Sequence, residues 1–87
     1  MVRYIEKSGE TIKDAIIILD VKNNFEGVAA EYEYLEKKFG KRGENWELER
    51  QSLIKTGNKY YDKMDLRFPD GSRKTIYFDI TSFFGKW

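Results

Sequence analysis

The stretch LRFPDGSRK, residues 66–74, constrains this fold more than any other part of the chain. Pro69 presets φ, Asp70 suits the next turn position, and Gly71 supplies a positive φ; together they encode a three-residue hairpin loop ending in a bulge. Such a loop makes strands of its flanks, KYYDKMDLRF (59–68) and SRKTIYFDIT (72–81). It also sets their register. If Phe68 faces Ser72, even-numbered residues face even-numbered ones, because side chains alternate between the two sides of a strand. Met64 then lies opposite Ile76 and Tyr60 opposite Ile80, with Leu66, Phe68 and Phe78 on the same side. The large aliphatic side chains collect on one face, as a sheet covering a core on that side requires.

Further elements follow from local pattern. WELERQSLIK (46–55) precedes Thr56-Gly57-Asn58, which reads as another three-residue loop with Lys55 facing Lys59. AIIILDV (15–21) is β-branched and apolar on both alternating faces, fitting a strand buried on both sides or central in a sheet. A buried helical turn is the competing reading. VRYIE (2–6) fits a short edge strand turning at KSGE. Phe25, Val28, Ala29, Tyr32, Leu35 and Phe39 recur at helical spacing and leave Glu26, Glu31, Glu33, Lys37 and Lys38 largely outside. Asn23 or Asn24 can cap the start, and Gly40 can take the left-handed position after the end. Glutamates early and lysines late match the helix dipole. The spacing predicts a helix over residues 24–39.

The resulting order is β-α-β-β-β, with room for an extra short N-terminal strand. It describes an α+β two-layer sandwich, one helix packed on a mainly antiparallel sheet. At 87 residues the chain is expected to form a single domain, 1–87. A domain of that size buries only about 60–65% of the surface its unfolded chain exposes, enough for one modest core. The apolar share of 40% supports that core, while 16 basic and 15 acidic residues make a mixed-sign surface of net charge +1. So balanced a surface exerts no strong pull on nucleic acid or membrane.

Missing residue types exclude whole chemistries. The chain has no cysteine, so it has no disulfide, thiolate zinc site or cysteine nucleophile. It has no histidine, which removes the usual general base and the commonest metal ligand. Ser8, Ser52, Ser72 and Ser82 stand in no nucleophile motif, and the acidic residues are scattered rather than convergent. The expectation is a non-enzymatic protein with no catalytic residue, cofactor or metal. MVRYIEKSGE lacks an apolar leader core, and the longest apolar run, Ala15–Leu19, is far too short to span a bilayer. A cytoplasmic protein without membrane contact is therefore expected.

Three sets of residues are candidates for binding. On the sheet side away from the helix, the register places Lys63 opposite Tyr77, Tyr61 opposite Asp79, and Arg67 opposite Arg73. Tyrosines among cations on an open sheet resemble, in their physics, surfaces that stack single-stranded bases. Glu47, Glu49, Asp65 and Asp79 share that face and would repel phosphate, so ordinary solvent-face packing is the simpler reading. On the helix side, facing Lys55 to Lys59 turns Arg50, Ser52 and Asp62 inward beside Trp46, Leu48 and Ile54. That polar trio is a salt-bridged core margin, a small polar pocket, or a set rotated outward by a bulge near Leu53-Ile54. Finally, ITSFFGKW ends the chain with Phe83, Phe84 and Trp87, either a lid on the core or an exposed patch for a partner or second copy.

The junction DVKNNFEGVAAEY (20–32) raises the question of a phosphate cradle. One glycine, Gly27, with Glu26 beside it, argues instead for a capped corner where the helix approaches its neighbours closely. The sequence thus points to a binding module for an unidentified protein or for itself, with single-stranded nucleic acid as the alternative partner.

Overall fold

The computed structural model describes residues 2–86. Within them, one helix packs on a five-stranded mixed sheet. The strands are β1 (Arg3–Ile5), β2 (Ile16–Leu19), β3 (Glu47–Thr56), β4 (Lys59–Arg67) and β5 (Arg73–Asp79), and the helix is α1 (Asn24–Phe39). Their spatial order is β1-β2-β5-β4-β3. Only β2 and β5 run parallel, with Ile16 beside Phe78; the other pairings are antiparallel. The α+β sandwich and the short N-terminal strand are both present, and no helix is long and apolar enough to cross a membrane among the described residues.

The Pro-Asp-Gly hairpin has the expected register. Phe68 N–H donates to the Ser72 carbonyl at 2.9 Å, Gly71 has φ 88°, and Met64 faces Ile76. Met64, Leu66, Ile76, Phe78 and Ile80 point to the helix and are buried, joined by Ile16 and Ile18 of β2. On the other side of β2, Ile17 and Leu19 are only partly covered, so the strand is not buried on both faces. With its β-branched residues β2 still fits the middle of a sheet, between β1 and β5.

The β3–β4 hairpin differs by one residue from the expected register. Its loop is two residues long, closing on Thr56 and Lys59. Gly57 has φ 60°, whereas Asn58 lies outside the set of residues with positive φ. This is a type II′ turn, whose first central position demands glycine and whose twist suits a tight hairpin. The shift of one residue turns every side chain between the loop and the bulge to the opposite face. Ile54 now pairs with Tyr61, Ser52 with Lys63 and Arg50 with Asp65 on the open face, while Leu53 and Gln51 pair with Asp62 and Met64 on the helix side. A bulge does occur, between Leu48 and Arg50 rather than near Leu53-Ile54. It restores Leu48 to the helix side, opposite Leu66.

The helix has the predicted bounds and caps; of the predicted stripe Leu35 is buried and Tyr32 and Phe39 pack at the core margin, but the rest of the buried face differs. Asn23 Oδ1 accepts from Glu26 N–H at 2.9 Å, and Gly40 ends the helix with φ 102°. The residues turned to the sheet are Gly27, Ala30, Glu31, Tyr34 and Leu35, and Phe25 is 81% exposed. Small side chains set this rotation. A Cβ on Gly27 would lie 2.3 Å from the Phe83 ring, so only glycine leaves the space that ring fills. Close approach at Ala30 lets Tyr4 Oη donate to its carbonyl at 2.9 Å. Tyr34 packs edge-on against Phe78, with centroids 5.8 Å apart.

Candidate functional site

The open face of the sheet is organised in rows. Ile5, Ile17, Asp79, Tyr61 and Ile54 lie side by side across the five strands. The next row holds Tyr77, Lys63 and Ser52, and the one after it Thr75, Asp65 and Arg50. At the far end Arg73 and Arg67 face each other near Glu49. One end is therefore mainly apolar and the other a lattice of charge.

That lattice consumes most of its own cations. Arg73 donates to both carboxylate oxygens of Glu49, at 2.8 and 3.2 Å, and Arg67 Nε lies 4.0 Å from the same group. The hydrogen bond from Arg73 holds the Glu49 carboxyl below its ordinary range, and Glu49 in turn raises Arg73. Thr75 Oγ1 donates to Asp65 at 2.6 Å, and Lys59 stands 3.8 Å from Asp79. Arg50 and Lys63 have no carboxylate within ion-pair distance among the described residues. Arg50 lines a shallow cleft of about 430 Å³ with Glu49, Asp65 and Arg73.

Of the base-stacking candidates, then, Tyr61, Lys63, Arg67, Arg73 and Tyr77 do share one face as expected, but not in one state. Tyr61 is buried among its neighbours, and both arginines are paired. Lys63 and Tyr77 remain, side by side and half-exposed.

The expected polar trio does not assemble. The one-residue register shift places Arg50 and Ser52 on the open face and leaves Asp62 alone on the helix side, buried opposite Leu53. Asp62 instead meets a residue that helical spacing had assigned to the surface, Glu31. Its carboxyl is fully buried and neither oxygen has a hydrogen-bond partner. Burial first, and then Asp62, push the Glu31 pKa up to about 10. Two carboxylates cannot donate to each other, whereas a proton on Glu31 turns it into a donor and removes the like-charge repulsion from Asp62. Glu31 is thus held as a neutral acid. The signal that could have found it is the small pair Gly27 and Ala30, which share its helix face and mark the close-packed side. The described residues contain no group of three or more His, Cys, Asp or Glu side chains placed to hold a metal ion.

The chain's last turn closes one end of the core. Phe83 is fully buried against Gly27, and Phe84 is 37% exposed and stacks on Tyr60 at 4.3 Å. Ser82 Oγ donates to the Ile18 carbonyl at 2.6 Å. Trp87 lies outside the described residues. The Lys86 carbonyl accepts from Asn24 N–H at 2.6 Å, and Asn23 accepts from both Gly27 and Glu26 N–H. Three of the N–H donors at the helix start, those of Asn24, Glu26 and Gly27, are occupied by the protein itself, so this corner makes a poor cradle for an anion.

No family model matches the chain, and no curated protein or solved structure matches it significantly.

Proposed function

We propose that the protein is a non-catalytic binding module that presents the open face of its sheet to a protein partner. The observation that carries this reading is the row Ile5, Ile17, Asp79, Tyr61 and Ile54, in which apolar and aromatic side chains flank one central carboxylate on a sheet face that no helix covers among the described residues. Ile5 is 41% exposed at the rim of that row. Apolar side chains bordered by a charged margin are the composition of a recognition patch, with the row supplying affinity and the margin orientation. The Glu49 cluster supports that division, since its arginines are already pre-oriented by their carboxylate partner.

Affinity capture from the native cell with wild type and with Ile5→Lys tests this reading. A protein that wild type retains and the variant releases, with binding weakened about tenfold or more, supports it. A partner held equally by both contradicts it. Nucleic acid is the second reading, resting on Tyr77 beside the unpaired Lys63. Oligonucleotide binding that falls steeply with salt and is lost in Tyr77→Ala favours it over the first.

A further inference from the structure

The sheet has two edges, and they are not alike. β1 is three residues long, too short to template another strand. β3 is ten residues long, and its outer side has no neighbour among the described residues. The bulge between Leu48 and Arg50 disrupts the first part of this edge and leaves Gln51–Thr56 as a regular, unprotected segment.

The backbone of that segment has a definite pattern. Tyr60 N–H donates to Thr81 Oγ1 and its carbonyl accepts from Ile80 N–H, so both groups point toward β5 and away from β3. Lys55, opposite Tyr60, is therefore in a non-bonded pair, and its own N–H and C=O point out of the free edge. By alternation the same holds for Leu53 and Gln51, while Thr56, Ile54 and Ser52 spend their groups on β4. The outward residues 51, 53 and 55 are symmetric about Leu53.

We infer that the occupant of this edge is a second copy of the chain, with β3 paired antiparallel to β3 across a two-fold axis at Leu53. In this register Gln51 faces Lys55 of the other copy, and Leu53 faces Leu53. All three outward residues then form bonded pairs, two hydrogen bonds in each. Centring the axis one residue to either side leaves at least one of them unpaired along the regular segment. Centring it on Lys55 sets two lysines against each other. Centred on Leu53, Arg50 faces Thr56 and Ser52 faces Ile54, so no like charges are opposed. The axis also explains an otherwise misplaced side chain. Leu53 is 53% exposed on the helix side, beyond the reach of α1, and in the dimer its contact is its own symmetry mate. A small interface of this kind forms a reversible dimer rather than an obligate one. It uses the edge of the sheet and not its open face, so it stands independently of the proposed function.

Sedimentation equilibrium over about 10 μM to 1 mM protein, a range matched to a weak dimer, tests the inference on wild type and two variants. Leu53→Lys sets two ammonium groups together on the axis, and Leu53→Pro removes the two central N–H donors. Neither touches a β3–β4 hydrogen bond, because the residue 53 N–H faces outward. Wild type is expected to rise from monomer toward twice the monomer mass, with dimerisation weakened at least tenfold in Leu53→Lys and Leu53→Pro. A wild type that stays monomeric at 1 mM overturns the inference, and so does a dimer that Leu53→Lys, still folded by circular dichroism, forms as readily.

Discussion

β4 has a neighbour on either side, and the two could hardly be more different. Toward β5, the helix-side residues Met64, Leu66, Ile76 and Phe78 are all fully buried beneath α1. Toward β3, the helix no longer covers the sheet, and Leu53 and Gln51 lie exposed on the same side. A single strand thus borders a closed core on one flank and an open hairpin on the other. The difference shows what each turn accomplishes: the Pro-Asp-Gly loop builds the core, whereas the Gly-Asn loop extends the sheet beyond it.

Truncation on the two flanks should therefore differ most. Met64→Ala removes a fully buried side chain and should cost about 2–5 kcal/mol of stability. Leu53→Ala should cost no more than about 0.5 kcal/mol, measured below the dimerising range. Chemical denaturation of both variants gives the ratio directly, and near-equal losses would break the contrast.

The boundary between the flanks carries the Glu31–Asp62 pair, since Asp62 has Phe78 on one side and Leu53 on the other. Glu31 has a folded pKa raised to about 10, well above the ordinary glutamate value of 4.5. The folded state then binds the proton more tightly, so its contribution is complete below pH 4.5 and declines as pH rises toward 10. Keeping the acid neutral at pH 7 costs ~3 kcal/mol, and Glu31→Gln, which keeps the shape without the proton, recovers it. The variant should be more stable than wild type at pH 7, by a margin that shrinks to nothing near pH 4.5. A margin independent of pH would contradict this account of the pair.

These two features also mark where the sequence stopped being informative. The β4–β5 register was legible because Pro69-Asp70-Gly71 fits one loop type and because the even-numbered residues confirm it by their hydrophobicity. Thr56-Gly57-Asn58 fits two loop types, and β3 offers no such check: Leu53 and Ile54 are adjacent, so either register turns one of them to the helix side. That ambiguity alone assembled Arg50, Ser52 and Asp62 into a trio that does not exist. The helix misled differently. Its ends were set by local capping at Asn23 and Gly40, which the sequence displays. Its rotation was set by the Phe83 ring seated on Gly27, a contact between residues 56 positions apart that no helical periodicity encodes. Counting Phe25 as apolar and Glu31 as polar then put both on the wrong side. The open-face pairs Tyr61–Asp79, Lys63–Tyr77 and Arg67–Arg73 were legible from the hairpin alone, and so was the place of Glu49 on that face, where it pairs with Arg67 and Arg73.

The free edge and the open-face rows of the outer hairpin follow from its one-residue register shift, and amide hydrogen exchange of dilute protein tests that shift most directly. The observed pairing predicts slow exchange at Ser52, Ile54 and Thr56, which bond to β4, and fast exchange at Gln51, Leu53 and Lys55, which face outward. A three-residue loop closing on Lys55 and Lys59 requires the reverse. Slow exchange at Gln51, Leu53 and Lys55 with fast exchange at their neighbours would contradict the register and the free edge derived from it.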